Sequence, residues 1–289
     1  MRYEGDVYRP PSEANSLIIQ LTIGCARNTC TFCTMYKQKK FRVRDLSEVI
    51  EDLHWAKEYY PYPFDRVFLA DGDALIVKTA DLITILDKIH ELLPWVRRIT
   101  TYGAAKDVLQ KTPEELLLLQ QHGLEMVYLG AESGSDKVLK DVCKGVSAAE
   151  TVEACQKLKA AGIKISMTLI TGLGGRADTY DHAIGSAKLV SAAKPEYLGL
   201  LTLTLGDGAP LKKAYQEGRF QRLSPLEGLE EQKLFLEHVD SEGTVLRSNH
   251  VSNYMSLAGT LNQDREAMIA QLERAIAIMK QYPERFTRL

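Results

Sequence analysis

The chain has 289 residues, 45% of them hydrophobic and 26% charged, and a net charge of −2. These values describe an ordinary globular protein and exclude a bulk basic field of the kind that draws nucleic acid or an anionic membrane. There is no run of 18 apolar residues and the first stretch, MRYEGDVYRPPSEANS, is polar, so the expectation is a cytoplasmic protein without a membrane span.

In chain order, Ser16–Ile23 (SLIIQLTI) is a β-branched apolar run stopped by Gly24, which predicts a strand. Cys25, Cys30 and Cys33 sit directly after it. Asp45 or Ser47 caps a predicted helix, with Leu46, Val49, Ile50 and Leu53 at helical spacing. Arg66–Ala70 (RVFLA) reads as a short buried strand ending at Asp71-Gly72-Asp73, and a helix follows near Thr79–Leu93. Arg97–Gly103 is strand-like. Thr112-Pro113-Glu114-Glu115 opens a helix with Pro at its first position and Glu in its first turn, and Gly123 ends it. Met126–Gly134 (MVYLGAESG) predicts a strand and turn. Ser147 and Glu150 form a capping box before a helix that stops at Gly162. Ile163–Gly175 is a strand with a glycine-rich end, followed by a helix over about Thr179–Ala193. Tyr197–Gly206 is a sixth strand. The remainder is less regular, with a short strand at Thr244–Arg247 and a helix from about Gln263 to Tyr282.

Six strands alternating with helices imply βαβ units and a parallel sheet. Right-handed crossovers curl such a sheet into a complete or partial barrel. The expected fold is α/β: a partial (β/α)6 TIM-like barrel over residues 1–210, with an extension, 211–289, packed on it or capping it. Ligands of parallel α/β sheets bind at the carboxyl ends of the strands. Here those ends carry the three cysteines, Asp71-Gly72-Asp73, Tyr102-Gly103, Glu132-Ser133-Gly134, Thr171–Gly175 and Thr204–Asp207. That pattern predicts a site for a cofactor and a substrate together.

The cysteines point to the chemistry. The total is five, an odd number, and three crowd into nine positions, which favours metal ligation over a disulfide framework. Thiolates select zinc, copper(I) or iron–sulfur clusters. A structural zinc site closes with four ligands. Cys143 and Cys155, read as lying in helices far along the chain, supply no second pair. A cluster held by four cysteines is saturated, whereas three leave one iron open to a ligand that takes part in chemistry. Three thiolates without a fourth therefore favour a cluster that coordinates its own cofactor. The competing reading is a non-catalytic iron–sulfur or zinc protein for electron transfer or maturation. The glycine- and carboxylate-bearing strand ends weigh against it, since a carrier needs no nucleotide pocket.

Three close cysteines after the first strand, ending Cys30-Thr31-Phe32-Cys33, resemble the radical S-adenosylmethionine (radical SAM) superfamily. VYLGAESGSDKVLKDVCKG (Val127–Gly145) and GIKISMTLITGLGG (Gly162–Gly175) are similar to the branch holding tRNA methylthiotransferases, Elp3-type enzymes and oxygen-independent coproporphyrinogen oxidase. The resemblance covers roughly residues 14–210. The family's usual spacing is C-x3-C-x2-C, whereas four residues separate Cys25 from Cys30, and Arg27-Asn28 is where a turn would absorb the extra one.

The resemblance implies a [4Fe–4S] cluster on Cys25, Cys30 and Cys33, with S-adenosylmethionine on the fourth iron. Reductive cleavage of that cofactor would yield a 5′-deoxyadenosyl radical that abstracts hydrogen from a small-molecule substrate. Asp71, Gly72 and Asp73 would accept from the methionine ammonium. Glu132 and Ser133 would contact ribose or methionine, and Lys144, or else Lys140, would pair with the cofactor carboxylate. Thr171 and Gly172 would let backbone approach adenine or ribose. Leu205 and Phe32 would offer main-chain contacts near adenine. Tyr36 would cover the cluster, and Tyr102 would line the substrate cavity. The polar stretch Leu246–Leu261, with Arg247, Asn249, His250, Asn253 and Tyr254, is expected to close the mouth, His250 serving as proton donor or acceptor. The other histidines read as surface or packing residues. Ferredoxin or flavodoxin is the expected reductant, and no nucleic-acid or membrane partner is expected.

Overall fold

The structure, a computed structural model, describes residues 1–282; the end of the expected extension, residues 283–289, lies outside the described residues. The strands are β1 (Leu17–Gln20), β2 (Thr22–Ile23), β3 (Arg42–Val43), β4 (Arg66–Ala70), β5 (Arg98–Gly103), β6 (Leu124–Glu132), β7 (Lys164–Thr171), β8 (Tyr197–Thr202), β9 (Val245–Arg247) and β10 (Ala258–Thr260). The helices are α1 (Leu46–Tyr59), α2 (Thr79–Leu92), α3 (Ala105–Gln110), α4 (Pro113–Gln121), α5 (Asp136–Asp141), α6 (Ala148–Ala160), α7 (Thr179–Ala193), α8 (Pro210–Gln216), α9 (Pro225–His238) and α10 (Arg265–Gln281). The fold is mixed α/β with a mostly parallel eight-stranded sheet, in the order β1-β4-β5-β6-β7-β8-β9-β10. β1, β4, β5 and β6 pair in parallel, as do β7, β8 and β9, while β10 runs antiparallel to β9. Among the described residues no helix is long and apolar enough to cross a membrane.

The chain forms two compact units. The first comprises residues 1–28, 35–129 and 154–165. In it β4 is apolar along both faces and buried from Val67 to Ala70, as a strand covered on both sides must be. Phe68, Ala70, Met126 and Tyr128 pack as one cluster with Val7, Ile18 and Tyr102. Helix α4 opens as its sequence predicts. Thr112 Oγ1 accepts from Glu115 N and the Glu115 carboxylate accepts from Thr112 N, with Pro113 at the first position. Two expectations are corrected here. Ser16–Ile23 is not one strand, because the pairing changes at Leu21. β1 lies parallel to β4, while β2 turns away to pair antiparallel with β3, and Leu21 O accepts from Arg44 N at 2.9 Å. Helix α3, six residues long, escaped the periodicity reading because it spans under two turns.

Of the described residues, the second unit comprises 29–34, 130–153 and 166–282. Strand β7 alternates between buried and more open positions, the period of a strand. Val138, Val142, Leu173, Leu203 and Leu211 form a core cluster, on which Phe32, Ile170, Leu205 and Phe220 pack. The capping box at α6 is present: Glu150 N donates to Ser147 Oγ and Ser147 N to the Glu150 carboxylate. Cys143 is not helical. Helix α5 ends at Asp141, and Cys143 takes a left-handed conformation with φ +56°. The less regular tail contains two unexpected helices, α8 and α9. Helix α9 carries the same start signal as α4, with Ser224 capping Glu227 N, Pro225 first and Glu227 reaching back.

Candidate active site

In the first unit the Asp-Gly-Asp turn after β4 organises the segment that bears Cys25. Asp71 is fully buried. Its Oδ2 accepts from Gln20 Nε2 at 3.0 Å, Gly24 N at 3.1 Å and Lys39 Nζ at 2.8 Å. Gly72 N donates to Gly24 O at 3.1 Å. A Cβ on Gly72 would stand 2.7 Å from Tyr36 Cε2 and 3.1 Å from Cys25 Cβ, so only glycine fits this approach. Asp73 Oδ2 accepts from Ala26 N at 2.6 Å and from Cys25 Sγ at 3.2 Å. Burial first, and the Asp73 charge second, push the Cys25 thiol up to about 12, so its proton stays in place without a metal. Ligation to a cation removes that proton and inverts the balance.

Within the cysteine loop Asn28 takes φ +40°, so the chain turns at the expected Arg27-Asn28 position. Its Nδ2 donates to Tyr36 O at 2.8 Å, and its own carbonyl accepts from Lys37 Nζ at 2.6 Å. Tyr36 is buried, edge-on to Tyr8 at 5.6 Å, and burial followed by the Asp71 charge pushes its phenol far up. The Tyr36 hydroxyl and Asp71 Oδ1 are buried without a hydrogen bond of ordinary length. Tyr102 lies at the end of β5, its ring edge-on to Phe68 at 4.9 Å.

In the second unit, the loop bearing Cys30 and Cys33 is tied down on both sides. Thr31 N donates to Val142 O at 3.0 Å, Thr29 Oγ1 to Cys143 O at 3.2 Å, and Leu211 N to Thr31 O at 2.9 Å. Phe32 and Leu205 pack on the same core cluster. Glu132 ends β6 in a left-handed conformation, φ +68°, and pairs with Lys144 Nζ at 3.0 Å. The two residues expected to meet different parts of the cofactor thus hold each other. Gly130 leaves them room, since a Cβ there would lie 2.2 Å from Glu132 Oε1.

Ser133 is fully buried, and its Oγ pairs with His182 Nδ1 at 2.8 Å. His182 Nε2 lies 3.6 Å from Glu231 Oε1, which also accepts from Gly172 N at 2.6 Å. Glu231 Oε2 accepts from Thr179 Oγ1 at 2.5 Å, and Thr171 Oγ1 accepts from Gln232 Nε2 at 3.2 Å. The strand ends at Ser133 and at Thr171-Gly172 are therefore joined through His182 on α7 and Glu231 on α9. Sequence reading gave His182 only a packing or surface role and named neither Glu231 nor Gln232. Their signal was two adjacent polar residues on the buried face of α9, visible only once that helix is recognised.

His250 belongs to a loop fastened to the end of β8. Its Nδ1 accepts from Ser252 N at 3.2 Å and pairs with the Ser252 hydroxyl at 2.8 Å. Ser252 Oγ accepts from Thr202 N at 3.1 Å, and Asn253 Nδ2 donates to Leu200 O at 2.7 Å. An Nδ1 that accepts leaves the neutral ring's proton on Nε2.

The model of the radical SAM superfamily matches residues 19–190, more than half of the chain and all three clustered cysteines. The chain belongs to that superfamily. It is 28% identical over 171 residues to a putative methylthiotransferase of Methanocaldococcus jannaschii, covering 57% of this chain and 37% of the relative. Among solved structures, methylornithine synthase superposes with TM-score 0.52 at 18% identity, covering 92% of this chain and 81% of that one. Elp3 of Methanocaldococcus infernus, lacking its N-terminus, gives TM-score 0.55 at 16% identity over 90% and 63%. These likenesses bear out the TIM-barrel-like α/β fold. The chain spans little more than a third of the curated relative's length.

With the family come its cofactors, a [4Fe–4S] cluster and S-adenosylmethionine. Among the described residues, no three His, Cys, Asp or Glu side chains surround a single point as metal ligands. The donor chemistry fits the group: three partly buried thiols, soft ligands suited to iron–sulfur clusters.

Proposed function

We propose that the chain is a radical SAM enzyme acting on a small-molecule substrate. The match to the superfamily over residues 19–190 carries this reading. In it Cys25, Cys30 and Cys33 ligate the cluster, and the open iron takes S-adenosylmethionine. When bound, the reduced cluster would supply one electron for cleavage of this cofactor to methionine and a 5′-deoxyadenosyl radical, the chemistry needed to take hydrogen from the substrate. Asp73 orders the ligand loop through Ala26 N and holds the Cys25 proton until the metal displaces it. Asp71, Gly72 and Asp73 receive the methionine ammonium. Lys144 turns from Glu132 to the cofactor carboxylate, which releases Glu132 to the ribose hydroxyls. Ser133, Thr171, Gly172, Leu205 and Phe32 complete the cofactor's surroundings, while Tyr102 and His250 face the substrate.

A net charge of −2 supports a small molecule over nucleic acid, and a low-potential ferredoxin or flavodoxin is the fitting reductant. The test is anaerobic reconstitution with iron and sulfide, then dithionite and S-adenosylmethionine. Wild type is expected to form 5′-deoxyadenosine and to change its cluster EPR spectrum when the cofactor is added. Cys30→Ala is expected to do neither. A colourless zinc-loaded native protein, or a reduced cluster whose spectrum ignores the cofactor, would instead indicate a non-catalytic carrier.

A further inference from the structure

The carboxyl ends of β7 and β8 border a shallow cleft, open to solvent, whose lining includes Thr171, Gly172, Thr202, Leu203, Arg222 and Tyr254. Arg222 is the one charged residue in that lining, and no carboxylate faces it there. Its Nη2 donates to the Tyr254 hydroxyl at 2.7 Å, and among the described residues it makes no ion pair. A guanidinium carries five N–H donors in a planar fork, and a phenol that accepts through its oxygen still has its own proton to give. Arg222 and Tyr254, from two different segments, thus line one concave surface that carries no carboxylate.

Tyr254 is held in place. The loop before Tyr254 is pinned to β8 through Asn253 and Ser252. A Cβ at Gly228 would lie 3.8 Å from the Tyr254 ring, so α9 supports that ring closely. The nearest first-turn acid of α9, Glu227, is committed to Arg176 at 2.8 Å. The positive end of the α9 dipole adds to the field in the cleft.

We infer that Arg222 and Tyr254 bind a carboxylate of the substrate, which makes that substrate a small organic acid or amino acid. One cation matches one negative charge, and the planar fork matches a carboxylate. The word substrate here rests on the radical SAM reading; the anion site itself does not.

Equilibrium dialysis of the reconstituted protein with radiolabelled glutarate tests this without turnover. Wild type is expected to bind glutarate, Arg222→Gln about tenfold more weakly, a loss of about 1.4 kcal/mol. Arg222→Lys is expected to fall between them and Tyr254→Phe to bind several-fold more weakly. Unlabelled glutaramide is expected not to compete, and inorganic phosphate to compete only feebly. Absence of binding to wild type, or equal binding by wild type and Arg222→Gln, overturns the inference. Should Arg222→Gln fail to fold, Tyr254→Phe and Arg222→Lys decide by the same comparison. Phosphate displacing glutarate as well as glutarate itself overturns the carboxylate assignment. Displacement by saturating S-adenosylmethionine overturns the substrate assignment, giving the site to the cofactor. A protein that binds glutarate through Arg222 yet never cleaves S-adenosylmethionine sinks the radical reading alone.

Discussion

Gly72 has no room for a methyl group: the ideal Cβ lies 2.7 Å from the Tyr36 ring, a buried side chain fixed by Tyr8. Gly72→Ala is expected to cost about 1–3 kcal/mol through overpacking and to lower iron retention, because the same contact displaces Cys25. Urea unfolding and iron analysis check it, and an unchanged midpoint would show that Tyr36 yields freely. Asp107 gives a pH signature. Its carboxylate accepts from Ala104 N, but burial and then the Asp73 charge outweigh that bond and lift it to about 7. The folded state therefore keeps a proton that the unfolded chain has lost, so stability is full below about pH 4 and is lost as pH rises towards about 7. Asp107→Asn is expected to flatten this loss between about pH 5 and pH 8, measured by urea titrations at both ends. A variant that keeps the wild-type slope would assign the dependence to another group.

At the scale of elements, α9 is the informative one. Glu231 accepts from Gly172 N and Thr179 Oγ1 and lies beside His182, so a single helix reaches the strand ends that carry Ser133 and Gly172. Glu231→Ala leaves a buried amide without an acceptor and is expected to cost about 1–3 kcal/mol. Glu231→Gln, which keeps an acceptor for Gly172 N, is expected to recover most of that loss in the same unfolding assay. Equal losses in the two variants would mean that charge, not the hydrogen bond, is what α9 supplies. The elements legible in sequence were those with strong local grammar. The apolar run RVFLA, the Thr112–Glu115 box and the Ser147–Glu150 box each act within four residues, where neighbouring atoms are fixed by the chain itself. Helix α9 carries the same grammar, set in a stretch whose apolar pattern is irregular. Cys143 misled in the opposite direction, since a single left-handed residue after α5 has no periodic signature.

At the scale of the whole molecule, sequence by itself determined the class. Three thiols in nine residues after an apolar strand, with glycine and carboxylate at successive strand ends, point to a cluster with its own cofactor and resemble the superfamily, because motif content and strand order are properties of the chain. The β/α alternation determined the fold for the same reason, as crossover handedness and apolar runs leave few arrangements open. Tertiary structure alone decided which polar residues hold one another. Ser133 meets His182 49 residues later, Gly172 meets Glu231 59 residues later, and Arg222 meets Tyr254 32 residues later. No local pattern encodes such pairs. They arise because buried polar groups must find partners, and only the folded chain determines which partners lie within reach.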